Sequence, residues 1–201
     1  MSTTREINYD VVFDAQQDFR KIMDVMARPG KIVQLKKDNM EINSNLNSGG
    51  CLIAFALLNA DVSFFAEHNW ELESFLTVNT SCAPTELEKA DYLFVSGQSA
   101  HKYVENAKEG VLEYPENSAT IIINTEKVSE SPLDDSELIT LDGPGVDGKK
   151  EVYIKGTSRD FFEAILEKNS EYPLGVDTFI TDQEGNIMAI PRTNKLQLKN
   201  F

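Results

Sequence analysis

The chain has 201 residues, 41% of them apolar and 26% charged, the balance of a soluble globular protein able to bury one sizeable core. Its net charge of −14, from 19 basic and 33 acidic residues, argues against nucleic acid and anionic membrane surfaces as partners, because both would repel it. The longest apolar run, Cys51 to Leu58, falls far short of the roughly 20 residues that a membrane-spanning helix needs.

The first six residues lack an apolar signal region, so a cytoplasmic location is expected. Cys51 and Cys82 have no CxxC spacing and read as reduced core residues. Charge is uneven along the chain. Arg20, Lys21, Arg28, Lys31, Lys36 and Lys37 face the single acid Asp24 in their segment, whereas residues 60–142 are strongly acidic. Either different faces meet different partners, or the acids form a solvated face.

In chain order, the first element is a helix. Ala15, Phe19, Ile22, Met23 and Met26 make an apolar stripe, Asp14 suits the N-cap, and Arg28-Pro29-Gly30 ends the helix. A short strand over Lys31 to Leu35 follows. The polar stretch Asp38 to Gly50 reads as a surface loop within one domain. Gly50 to Leu58 reads as a buried helix and Val62 to Ala66 as a buried strand. Asp91 to Val95 and Ala119 to Ile123 are compact strand-type runs, with a helix expected between them over Ser99 to Ala107.

Further on, Glu137 to Leu141 and Glu151 to Ile154 flank a glycine-rich turn. Thr157 to Asp160 has the spacing of a capping box and opens a helix carrying Phe161, Phe162, Ile165 and Leu166. Val176 to Thr181 and Ile187 to Ile190 are expected to pair around Asp182 to Asn186. The alternation of strand and helix defines an α/β fold with a mixed sheet. One domain over residues 1–201 is expected, with residues 1–9 and 194–201 peripheral.

Few motifs for chemistry survive inspection. Gly143 to Gly148 satisfies GxGxxG, but the residues that follow read as a strand, not as the helix that would meet a pyrophosphate. Gly143, Pro144 and Gly145 are therefore a structural turn. No GxxxxGK[ST] is present. His68 and His101 lack metal-ligand spacing, and nothing marks a lysine for a Schiff base, so neither metal nor cofactor is expected. Gly49-Gly50 reads as an anion nest or, more simply, as a flexible loop end.

Several local signatures remain. They are Asp14 to Arg20 running on to Met26–Gly30, then Leu141 to Gly145, Tyr172 to Asp177, and Ala189 to Thr193. Together these resemble the PhnH family, whose members are components of the carbon–phosphorus lyase core complex of phosphonate metabolism. The first helix follows D-x-Q-x-x-F-R and M-x-x-P-G, and Pro115 to Thr120 follows P-E-x-[SG]-A-T. Tyr172 replaces the usual phenylalanine of F-P-L-G-[VI]-D, and A-I-P-R-T is intact. The resemblance spans about residues 10–193.

The resemblance implies a single-domain α/β/α sandwich similar to the large domain of pyridoxal-dependent transferases, without the cofactor. It implies a homodimer in isolation and a core complex with subunits G, I and J. That complex replaces the adenine of ATP with methylphosphonate, giving ribose 1-methylphosphonate 5-triphosphate, with this subunit in support. If the subunit instead binds a nucleotide or phosphonate anion, Arg20, Arg28 and Arg192 are the expected ligands, because guanidinium forks suit phosphonate oxygens. Asp177 and Thr193 would then orient a ribose hydroxyl or one of those arginines. The plainer reading makes Arg20 and Asp177 a buried pair and Pro191-Arg192-Thr193 a strand end. A third reading is an independent small-molecule transferase.

Overall fold

The computed structural model describes residues 9, 10, 12–35, 48–67 and 69–199. The chain begins with α1 (Phe13–Ala27), β1 (Val33–Gln34), α2 (Ser48–Leu57), β2 (Ser63–Ala66), α3 (Trp70–Thr80), β3 (Ala83–Pro84) and β4 (Tyr92–Ser96). Its middle part is α4 (His101–Val104), β5 (Glu109–Val111), β6 (Tyr114–Ser118), β7 (Thr120–Asn124), β8 (Lys127–Ser129), β9 (Ser136–Asp142) and β10 (Lys150–Lys155). It ends with α5 (Arg159–Lys168), β11 (Asp177–Thr181), β12 (Asn186–Ile190) and β13 (Lys195–Leu198).

A seven-stranded sheet in the order β1-β12-β11-β7-β4-β2-β3 is the centre of the molecule. Strands β3, β2, β4, β7 and β11 run parallel, while β12 and β1 pair antiparallel. The central strands are covered on both faces, which is why they read as unbroken apolar runs. Their side chains still alternate. Phe94, Ile122, Phe179 and Ala189 join α1, α2 and α3 in one core, whereas Leu93, Val95, Ile121, Ile123 and Ile180 join the other. That second core is closed by α4, α5 and a four-stranded antiparallel sheet, β13-β9-β10-β8. The α/β class with a large mixed sheet is as expected. One outer layer is helical and the other combines two helices with a second sheet.

Several local expectations need correction. Asp14 does not cap α1. Asp10 does, its Oδ1 accepting from Val12 N and Phe13 N at 2.9 Å each, while Asp14 reaches back to Asp10 N at 2.7 Å. The pair forms a reciprocal cap one turn earlier than the apolar stripe suggests. The capping box at Thr157 does not form either, because its hydroxyl donates to Gly97 O at 3.3 Å and Ser158 stands at the N-cap. The helix over Ser99 to Ala107 shrinks to the single turn α4, with flanking amides bonded only three residues back, as Ala107 N is to Val104 O. Gly49 and Gly50 lie buried inside α2 and not in a flexible loop end. Most of the polar stretch from Asp38, and Lys36, Lys37 and His68, lie outside the described residues. Residues 195–198, expected at the periphery, form the edge strand β13 with Leu196 buried.

Candidate functional site

The signature segments meet at one place. After α1 ends, Gly30 N donates to Ala189 O at 3.4 Å, which fastens the helix exit to β12. The β9–β10 turn is wedged beside this junction. A Cβ at Gly145 would collide with Ala27 O and lie 3.0 Å from Pro29 Cδ. A Cβ at Gly143 would lie 3.1 Å from Asn194 Nδ2, and that amide donates to Pro144 O at 3.2 Å. Gly143-Pro144-Gly145 is thus the structural turn expected, shaped by two neighbours. The strand β10 follows it, so no dinucleotide loop forms.

Beside the turn, Arg192 and Asp177 form a clamp. Arg192 Nη2 lies 2.6 Å from Asp177 Oδ2 and Nε 3.3 Å from Oδ1, while the Arg192 backbone N donates to the same Oδ1 at 2.9 Å. The guanidinium also donates to Pro115 O at 2.8 Å and to Ser118 Oγ. Both side chains are largely buried, 12% and 20% exposed. The planar fork therefore ties three segments, 115–118, the start of β11 and the exit of β12. All three stand at the amino edge of the parallel strands β7 and β11. The partner of Asp177 is Arg192, not Arg20.

The other expected anion ligands lie elsewhere. Arg20 and Arg28 are exposed on α1, and Thr193 is exposed, with its hydroxyl 3.4 Å from Asn194 Oδ1. Arg28 pairs with Asp24, which also takes Lys31 Nζ at 2.8 Å, and Lys21 lies 3.5 Å from Asp18. Arg20 has no ion-pair partner among the described residues. Around it, Val12, Phe13, Phe19 and Met23 are 67%, 69%, 44% and 52% exposed. Ile22 and Val25 fill the core instead. The sequence stripe placed Phe19 and Met23 inward. The helix is turned so that its apolar residues serve two faces.

A second polar cluster, missed in the sequence, lies at the opposite, carboxyl edge of the sheet. Glu67 follows β2 directly. Its Oε2 accepts from Ser96 N at 2.9 Å, and its Oε1 accepts from Ser99 Oγ at 2.6 Å and Tyr103 Oη at 3.2 Å. Burial raises the Tyr103 hydroxyl pKa above its usual value, and the charge and hydrogen bond of Glu67 push it the same way. Glu67, Asn69, Ser96 and Asn124 line a small crevice floored by Leu72, Phe94 and Val95. The sequence signal is positional, an acid between a buried strand and an Asn-capped helix.

Among the described residues no group of three His, Cys, Asp or Glu is gathered to hold a metal, and no helix is long and apolar enough to cross a membrane. Cys51 and Cys82 are buried and free. Burial raises the Cys82 thiol pKa to about 11, helped by the charge of Asp91.

The architecture defines a mixed α/β protein whose most distinctive sequence segments converge on a buried ionic clamp. Residues 8–197 match the family described as bacterial phosphonate metabolism protein (PhnH), and the chain belongs to that family. It is 25% identical over 192 residues to the alpha-D-ribose 1-methylphosphonate 5-triphosphate synthase subunit PhnH of Rhizobium meliloti (strain 1021), covering 94% of this chain and 92% of that one. It is 24% identical over 184 residues to the putative C-P lyase subunit protein HtxG of Stutzerimonas stutzeri, covering 92% and 86%.

Proposed function

We propose that this chain is an accessory subunit of a carbon–phosphorus lyase complex, supporting the formation of ribose 1-methylphosphonate 5-triphosphate from ATP and methylphosphonate. Family membership and the names of the two relatives support the pathway. The observation that carries the subunit role is the outer face of α1. Four large apolar side chains surround a guanidinium that is unpaired among the described residues. Such a face is costly to leave in water and has the composition of an interface core. The partner that fits offers an apolar patch with a carboxylate for Arg20, and subunits G, I and J are the partners we assign. The chain acts as one domain in the cytoplasm, is a homodimer when isolated, and has the transferase-like α/β/α arrangement without a cofactor. Helices on both faces of the mixed sheet support that last reading.

The test is co-expression of the chain with the three partner subunits, followed by affinity purification and mass determination. A stoichiometric complex is expected, and Arg20→Glu should remove the chain from it. Assembly of the other three with this chain always excluded would overturn the subunit role. Arg20→Ala that leaves assembly intact but abolishes triphosphate formation would place Arg20 on the ligand instead.

A further inference from the structure

The chain leaves β2 through α3 and returns in β3 on one side of it. It leaves β4 through α4 and, past the β5–β6 hairpin, enters β7 on the other side. The two connections also pass over opposite faces, since Leu72 and Leu76 of α3 belong to one core and Val104 of α4 to the other. Strand order therefore reverses between β2 and β4. In open α/β sheets this reversal leaves a crevice at the carboxyl ends of the two strands, and ligands bind there. Glu67 and Ser96 sit at those two carboxyl ends.

We infer that this crevice is a pentose-binding subsite in which Glu67 accepts hydrogen bonds from vicinal ring hydroxyls and Asn69 donates to them. Ser96 N, Ser99 and Tyr103 hold the carboxylate in one position. A carboxylate has about four acceptor sites, and among the described residues Oε2 receives one donor, Ser96 N. Asn69 uses Oδ1 to cap α3 through Leu72 N at 3.1 Å, and its Nδ2 has no partner among the described residues.

Charge and size narrow the ligand. A carboxylate repels phosphate and phosphonate oxygens, so the group received here is neutral and rich in hydroxyls. The crevice holds about 200 Å³ with its open mouth included. Complete small-molecule pockets run from roughly 300 to 1,000 Å³. A five-membered sugar ring fits, whereas a base and a phosphate chain remain outside. Trp70, the residue after Asn69, is 72% exposed and offers a broad apolar face to whatever projects from the mouth.

The choice of ATP as the source of the pentose rests on the accessory-subunit reading, but the recognition chemistry does not. A free pentose phosphate presents the same hydroxyls.

Trp70 is the single tryptophan, so its fluorescence reports on the site. The full chain is titrated with ATP, dATP, ribose 5-phosphate and 2-deoxyribose 5-phosphate, with equilibrium dialysis in parallel. Saturable binding of at least one ribose compound is expected, and its 2-deoxy counterpart should bind about tenfold more weakly. Glu67→Gln should weaken the ribose compound by about tenfold. Asn69→Asp retains the helix cap and loses the amide donor, so it gives a second reading should Glu67→Gln fail to fold. ATP binding alone identifies the nucleotide as the source, and ribose 5-phosphate binding alone identifies a free pentose phosphate. No saturable binding up to about 10 mM, equal affinity for ribose and deoxyribose forms, or folded variants that bind as the parent does would each overturn the inference. The titration uses the chain alone, so its failure leaves the co-purification result standing, and loss of assembly leaves the titration unaffected.

Discussion

Asp177 opens β11 and Arg192 lies just past β12, and their 2.6 Å contact closes the antiparallel pair at the end opposite its turn. The same guanidinium bonds Pro115 O and Ser118 Oγ, so one side chain fixes the approach to β7 as well. Replacing Arg192 by alanine leaves a largely buried carboxylate and a carbonyl without their donor. The expected loss is about 3 kcal/mol in urea unfolding. Arg192→Lys should recover only part of it, because a point charge cannot serve three segments at once. Combining Arg192→Ala with Asp177→Asn should cost less than the sum of the single changes. Strict additivity in that cycle would show that the pair is not coupled.

The β9–β10 turn offers a paired comparison. Gly145 and Gly148 both have positive φ, +80° and +71°. A Cβ at Gly145 strikes the Ala27 carbonyl, whereas one at Gly148 meets nothing within 4 Å. Gly148→Ala should therefore cost about 1 kcal/mol, the conformational penalty alone. Gly145→Ala should cost more, because α1 must move away from the turn. Thermal unfolding of the two variants checks the ranking, and equal shifts would contradict the packing account.

The two faces of α1 give a third comparison. Ile22 is buried and Phe19 is exposed, although both belong to the single apolar stripe read from the sequence. Ile22→Ala should destabilise the chain by about 2 kcal/mol or more. Phe19→Asp should change the stability of the isolated chain by no more than about 0.5 kcal/mol. In the co-purification assay the order reverses, with Phe19→Asp the more damaging. A large stability loss from Phe19→Asp would mean that the residue packs within its own chain.

These contrasts show what was legible in the sequence. The strands β4, β7, β11 and β12 could be read because parallel or central strands buried on both faces are continuous apolar runs between turn residues. The β9–β10 and β11–β12 pairs could be read from their turns. The α3 helix was missed although Asn69 caps it and Glu71 and Glu73 fill its first turn, because only Leu72 and Leu76 are buried and its apolar periodicity is faint. The β5–β6 hairpin was missed because its strands are short and largely exposed. In the site, Arg192 and Asp177 could be picked out as residues, but their pairing depends on the β11–β12 register. Glu67 could not be found, since its partners Ser96, Ser99 and Tyr103 lie some thirty positions away and are brought near only by the parallel pairing of β2 with β4.

Acid sensitivity should be carried in part by Asp91, at the amino edge of β4. Burial by itself would raise its pKa, but hydrogen bonds from Lys108 Nζ at 2.7 Å and from Ser63 Oγ and N at 2.8 and 2.9 Å outweigh this and hold the carboxyl below the ordinary range. In the unfolded chain the group titrates near its usual value of about 3.9. Between that value and the lower folded pKa the unfolded state binds more protons, so stability falls as the pH is lowered. The contribution is complete above the unfolded pKa and is lost as the pH falls through the folded one. Asp91→Asn should therefore be less stable than the parent near neutral pH and should approach it in acid. Urea midpoints from about pH 7 down to about pH 2 read this directly. Parallel curves across that range would show that Asp91 is not a source of the acid dependence, and that its bonds to Ser63 and Lys108 contribute equally in both protonation states.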